Sequence, residues 1–337
     1  MRKRILLLLP LLLIGNFILR AQEYPVYNQY YFNYYLVNPA LAGANECSYF
    51  MLTHAQNWIG IEDAPYTTSL SFQTRLKNNF GIGAYFYNDK NGFSTQQGGQ
   101  VTAAYHIDMT PGKRSTRSIR RDRQLSFAVS LKLFNYGFDD EIGDIYHNSG
   151  WYDPAMEDLG AATTINANFG AYFTSYGFFT GLSLTNLTKT KMASYDENSE
   201  PDLPITGNFI IGNEFQVTQS ETLEPSLMYM FDANGSMAMD LNLRYAREAS
   251  KDDFSWWAQL TLRQSINKGS YIDKLTLADN KGGYQVLTLK PMVGFQIDKF
   301  HIAYCFGANL NRMVRYSAGT HELMIGYTLC HTSKFCR

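Results

Sequence analysis

The sequence predicts an all-β protein: a transmembrane outer-membrane β-barrel of about fourteen antiparallel strands, preceded by a short N-terminal plug-like segment. Three observations carry that expectation. The first is a strict two-residue alternation, clearest from Leu125 to Phe134, where Leu125, Phe127, Val129, Leu131 and Leu133 form an apolar row. Ser126, Ala128, Ser130, Lys132 and Phe134 form a smaller, mostly polar one. A period of two is that of a strand, whose side chains alternate faces. Such a run is longer than the ~5–6 residues of an average globular strand and matches the ~9–11 that a tilted strand needs to cross a bilayer. The second is recurrence. Met237, Met239, Leu241, Leu243 and Tyr245 alternate with Ala238, Asp240, Asn242 and Arg244; Phe254, Trp256, Ala258, Leu260 and Leu262 alternate with Ser255, Trp257, Gln259, Thr261 and Arg263. The third is a mean hydropathy of −0.26 beside 45% hydrophobic residues, which excludes a bundle of apolar membrane helices and suits strands greasy on one side. Hydrocarbon cannot satisfy the hydrogen bonds of a sheet edge, so lipid-facing strands must close, and the second row then lines a lumen.

Met1 to Ala21 reads as a secretory signal, with Arg2, Lys3 and Arg4 as basic start, Ile5 to Ile14 as apolar core and Leu19-Arg20-Ala21 as cleavage site. Pro10 interrupts the run, which falls short of the ~20 apolar residues of a spanning helix. Without that segment 25 Lys plus Arg face 30 Asp plus Glu, a net charge of −5, and a mildly acidic chain is a poor nucleic-acid binder. Cys47, Cys305, Cys330 and Cys336 form no CxxC and have no His at zinc spacing, so no metal is expected. A Cys330–Cys336 loop in an oxidising periplasm and two idle thiols are equal alternatives.

Tyr27, Tyr30, Tyr31, Tyr34 and Tyr35 fall at the i, i+3, i+4, i+7 and i+8 positions of a helical face, and Asn38-Pro39 should end that helix. An aromatic face ahead of a barrel must be buried, either in the lumen as a plug or against the wall at the rim. The expected organisation is a signal peptide at 1–21, a plug or rim segment at 22–45, a barrel at 46–329 and a tail at 330–337.

Strands are expected at roughly 46–57, 65–76, 80–88, 98–108, 125–134, 165–173, 176–185, 205–216, 222–232, 236–245, 254–264, 285–297, 299–308 and 320–329. With a periplasmic amino terminus, alternate connections should be short, as at 77–79, 174–175, 217–221 and 298, and the others long, as at 135–164, 186–204, 265–284 and 309–319. Two break the pattern: 109–124 is long for a turn and 233–235 short for an outer loop. Pro225 and Pro291 sit inside expected strands, where a closed barrel has no free edge for them, so pairing should begin near them. Tyr85, Tyr87, Tyr136, Tyr176, Trp256 and Tyr327 lie near strand ends and serve either an interfacial girdle or the lumen.

The connection carrying Lys113, Arg114, Arg117, Arg120, Arg121 and Arg123, relieved by Asp122, reads as a dock for an acidic partner or lipid phosphates, or as a solvated turn. Asp139, Asp140, Glu141, Asp144, Asp153, Glu157 and Asp158 lack the spacing of a calcium loop and read as a surface loop. Gly92 closes a turn at Asn88 to Gly92 by supplying a positive φ. Gly81-Ile82-Gly83 lies within a strand, so its glycines admit something packed inside the barrel. No HExxH, GxSxG or Walker pattern is present, His321 beside Glu322 reads as a lumen or rim pair, and no catalytic, cofactor or metal residue is assigned.

Tyr27-Asn28-Gln29-Tyr30, Asn38-Pro39-Ala40-Leu41-Ala42-Gly43, Trp58-Ile59-Gly60 with Ala64-Pro65, Gly81-Ile82-Gly83, Asn88-Asp89 with Gly92, and Gly319-Thr320-His321-Glu322 together resemble, in order and spacing, the PorP/SprF family of the type IX secretion system. Ala55 departs from it, the family often carrying an Arg there. The resemblance implies a non-enzymatic outer-membrane protein of the secretion and gliding apparatus. Its partners would be periplasmic and outer-membrane components, a secreted cargo or surface adhesin, and outer-membrane lipid. The candidate contact residues are Tyr27, Tyr30, Tyr31, Tyr34, Trp58, Arg114, Arg117, Arg120, Arg121 and Arg123. The rival reading is a channel for hydrophobic or small solutes, with the aromatic segment as hatch.

Overall fold

The computed structural model describes residues 28–45, 47–76, 79–109, 123–138, 162–188, 190, 203–248, 254–267, 271–272, 279–280, 284–310 and 317–330. The strands are β1 (Cys47–Gln56), β2 (Tyr66–Arg75), β3 (Phe80–Asn91), β4 (Ser94–Asp108), β5 (Arg123–Phe138), β6 (Ala162–Ser175), β7 (Phe178–Thr185), β8 (Thr206–Asn213), β9 (Phe215–Gln216), β10 (Glu221–Asp232), β11 (Met237–Glu248), β12 (Phe254–Asn267), β13 (Tyr271–Ile272), β14 (Asp279–Asn280), β15 (Tyr284–Ile297), β16 (Phe300–Asn309) and β17 (Thr320–Cys330). The two-residue β9 extends the barrel sheet, while β13 and β14 form a separate ladder. The other fourteen pair antiparallel with their neighbours in sequence, and β1 pairing with β17 closes the ring.

Alternation sets the two faces. Val129 and Leu131 are 62% and 61% exposed, whereas Ser130 between them and Lys132 after them are each 4% exposed. The same outward apolar row continues through Leu70, Val101, Ile165, Leu243, Leu260, Ile302 and Ile325, so the apolar surface is a belt around the whole wall. A belt of that kind is stable in lipid and not in water. Apart from the 109–122 stretch, connections at the end where the chain enters and leaves the barrel are short, as at Tyr176-Gly177 and Asp298-Lys299. Those at the other end include the long 139–161 and 186–205 stretches, an asymmetry that marks the short-turn end as periplasmic.

Both prolines sit where a ladder lapses. The pairing of β15 with β16 skips from Leu289↔Ala308 to Met292↔Cys305 across Lys290 and Pro291, and that of β10 with β9 and β8 skips from Leu223↔Phe215 to Ser226↔Gly212 across Glu224 and Pro225. A proline has no N–H to donate, so each wall is held there from one side only.

Several expectations are corrected. Residues 28–45 form no α-helix but three 3-10 turns, at Asn28–Tyr31, Tyr34–Leu36 and Pro39–Leu41. Asn33 Oδ1 accepts from the Tyr35 amide at 3.2 Å and Asn38 Oδ1 from the Ala40 amide at 3.0 Å, so each asparagine starts a new turn in place of a continued helix. Of the two places left open for Tyr85 and Tyr87, girdle or lumen, both take the lumen, where they are buried. His321 and Glu322 are not a pair, because adjacent residues on a strand face opposite ways: His321 Nδ1 meets the exposed Tyr304 hydroxyl at 2.6 Å, while Glu322 is buried. Cys47 is disulfide-bonded and stands in register with Cys330; Cys305 is a buried free thiol. The signal peptide, the basic stretch before Arg123, the acidic loop and the Cys330–Cys336 alternative lie outside the described residues.

Candidate functional site

Between β1 and the amino terminus, residues 28–45 are bonded to the inward faces of strands on several sides. Tyr30 donates to Asp240 on β11 at 2.6 Å, Asn33 to Ser71 on β2 at 2.6 Å, and Tyr35 shares a hydrogen bond with Thr102 on β4 at 2.9 Å. Ser183 on β7 donates to the Val37 carbonyl at 2.5 Å, and Asn38 donates to the Ala171 carbonyl on β6 at 3.1 Å. Lower down, Arg75 donates to the Gly43 carbonyl at 2.9 Å. His106 Nε2 lies 3.0 Å from the Ala42 carbonyl, which fixes that nitrogen as the donor and leaves Nδ1 to accept from Ser126 at 2.8 Å. The segment thus descends from the outer half of the lumen to the short-turn rim, where β1 begins.

Its upper anchor is a buried charge cluster. Arg263 Nε and Nη2 each donate to one Asp240 oxygen at 2.6 Å, and Tyr31 donates to Asp240 as well. A bidentate guanidinium–carboxylate pair is directional, and its burial makes either partner costly to remove alone. Burial also pushes the Tyr30 and Tyr31 phenols well above the ordinary tyrosine value, so both act as neutral donors. The Lys290 ammonium lies 5.8 Å from the Tyr31 ring centre. Glu322 is buried with neither carboxylate oxygen hydrogen-bonded among the described residues. Its register partner across the β1–β17 seam is Ala55, whose methyl group offers it nothing.

The wall is cut to fit the segment. A Cβ at Gly83 would lie 2.6 Å from the Tyr35 ring, one at Gly170 would lie 2.9 Å from the Ala40 amide, and one at Gly81 would collide with the Ala42 carbonyl. Gly83→Val is therefore expected to destabilise the barrel by about 1–3 kcal/mol. Denaturant titration followed by heat-dependent gel mobility measures this, and an unchanged midpoint would refute the fit.

Below the segment two cavities of about 260 and about 780 Å³ open toward the short-turn end. The inner one is walled by Phe32, Asn33, Tyr34 and Tyr35, and the two share Asn45, Glu224 and Arg244. At the opposite end the 57–65 loop is pinned to the residues just ahead of β17: Ile59 donates to the Gly319 carbonyl at 3.0 Å and Ala318 to the Ile59 carbonyl at 2.7 Å. Trp58 sits in that loop, half-buried, with a φ of 49°.

The candidate contact residues do not come together in the structure. Tyr30, Tyr31 and Tyr34 are in the lumen, Trp58 is at the long-loop end, and Arg123 stands at the short-turn end with its guanidinium 5.0 Å from the Tyr176 ring centre. Tyr27, Arg114, Arg117, Arg120 and Arg121 lie outside the described residues. Asp240, Arg263, Lys290 and Glu224 were visible in the sequence only as polar members of alternating rows.

The profile of the family described as "Type IX secretion system membrane protein PorP/SprF" matches residues 19–327. No curated protein matches the chain. Among solved structures it is similar to the CymD monoaromatic hydrocarbon channel, at 10% identity over 94% of this chain and 96% of that one, with a TM-score of 0.50. It is also similar to a TodX monoaromatic hydrocarbon channel mutant, at 9% identity over 88% and 94% with a TM-score of 0.49. A third is BamA from Haemophilus ducreyi lacking POTRA domains 1–3, at 8% identity over 85% and 70% with a TM-score of 0.43. At 10% identity the likeness to CymD speaks to the fold alone.

Proposed function

Because the chain belongs to the PorP/SprF family of type IX secretion system membrane proteins, we propose that it is a non-enzymatic outer-membrane scaffold that supports export or surface anchoring of secreted adhesins through protein contacts. The observation that carries this reading is residues 28–45, bonded to β2, β4, β6, β7 and β11 from within. A lumen so occupied suits a body that presents two rims to partners better than one that conducts solutes. The segment is the plug, and the barrel is a closed frame around it. Contacts with secretion components are assigned to the short-turn rim, where Arg123 ends the basic stretch of Arg114, Arg117, Arg120 and Arg121. Contacts with cargo are assigned to the long-loop end, around Trp58.

Deletion of the gene tests the reading. The expected result is loss of secreted or surface-attached proteins with nutrient uptake unchanged. A selective uptake defect with an intact secretome would instead establish a channel.

A further inference from the structure

We propose that the cavity at the short-turn end is a binding site for an extended peptide carrying a basic side chain, with Glu224 as the anion that receives it. The proposal adds to the reading above and rests on it only for the source of the peptide, a periplasmic partner. At about 780 Å³ the cavity is in the range of about 300–1,000 Å³ typical of ligand sites. Glu224 lines both it and the inner cavity, is 8% exposed, and makes no hydrogen bond or ion pair among the described residues.

The neighbour expected to neutralise it is turned elsewhere. Arg244 is directly opposite in the β10–β11 ladder, yet its guanidinium lies 4.5 Å from the Trp257 ring centre and not on the carboxylate. Arg247 is drawn to Glu221 at 3.8 Å. The Glu224 carboxylate faces the two cavities without a protein donor among the described residues, so a ligand that brings a cation finds an acceptor already in place. The remaining surface suits peptide. Trp256, Trp257 and Tyr176 line the same cavity and give flat faces for side chains flanking the basic one, as aromatic anchors do at interfaces. The inner end is closed by Phe32 and Tyr34, so the site is a socket entered from one side.

The test uses the full mature protein in detergent micelles and two fluorescein-labelled amidated tetrapeptides, glycyl-lysyl-tryptophyl-glycine and the same peptide with glutamine in place of lysine. Fluorescence anisotropy is expected to show the lysine peptide binding at least about ten-fold more tightly. Glu224→Gln should abolish that preference, Glu224→Asp should keep part of it, and Glu62→Gln at the far rim should leave it intact. Equal binding of the two peptides by the unaltered protein, or a lysine preference that survives Glu224→Gln, overturns the proposal. A heat-dependent gel shift checks that each variant is folded. Because binding is read on purified protein, its failure leaves the secretion reading standing, and an unchanged secretome in the deletion strain leaves the site standing.

Discussion

Replacing Asp240 with Ala is expected to destabilise the barrel by about 3–5 kcal/mol, because Arg263 is then left charged and buried without its partner. Two further donors lose their acceptor in the same step, since Tyr30 and Tyr31 both point their hydroxyls at Asp240. The double variant Asp240→Leu, Arg263→Leu removes both charges and should recover most of that loss. Recovery stays incomplete, because an unsatisfied buried hydroxyl costs about 1–3 kcal/mol. Denaturant-induced unfolding in micelles, followed by tryptophan fluorescence, measures all three proteins. An Asp240→Ala variant within about 1 kcal/mol of the parent would show that the pair is water-exposed in solution, since exposed pairs contribute only about 0–1 kcal/mol.

Removing residues 28–44 is expected to turn a non-conducting barrel into a pore. In planar bilayers the unaltered protein should give few or no openings, and the deletion should raise single-channel conductance by at least an order of magnitude, because the inward row it uncovers is polar and admits water. Residues such as Ser71, Thr102, Ser183 and Asn208 would then be hydrated where they now bond the segment or neighbour it. A milder variant guards against misassembly: Tyr35→Ala with Asn38→Ala removes two anchors and keeps the chain, and should give intermittent openings. Equal conductance of the parent and the deletion protein would mean the segment does not obstruct the lumen.

Most of the wall was legible because its physics is local. Whether Leu131 faces lipid and Lys132 the lumen is decided by the pleat and by a neighbour one residue away, so the strand list and the short and long connections follow from alternation. The glycines of β3 were legible for the same reason: a glycine inside a strand signals close approach, and Gly83 meets Tyr35. What was not legible depends on the ring. Asp240 meets Arg263 because β11 and β12 pair in one register, and it meets Tyr30 because the barrel has a particular stagger, neither of which a single row reveals. The tyrosine spacing at 30, 31, 34 and 35 imitated a helical face. That face has no role in a lumen with partners on every side, and Asn33 and Asn38 redirected the backbone instead.

The lumen segment also constrains how the molecule is made. Tyr30 precedes every strand of the wall in the chain, yet its acceptor lies 210 positions later. It is joined directly to β1, and ten residue pairs zip β1 to β17 from Cys47 to Gln56. A finished hoop of hydrogen bonds offers no sideways entry, so the segment is seated either before the β1–β17 seam zips or along the axis through an open end. In the first case the stretch before β1 is a template on which the last hairpins settle.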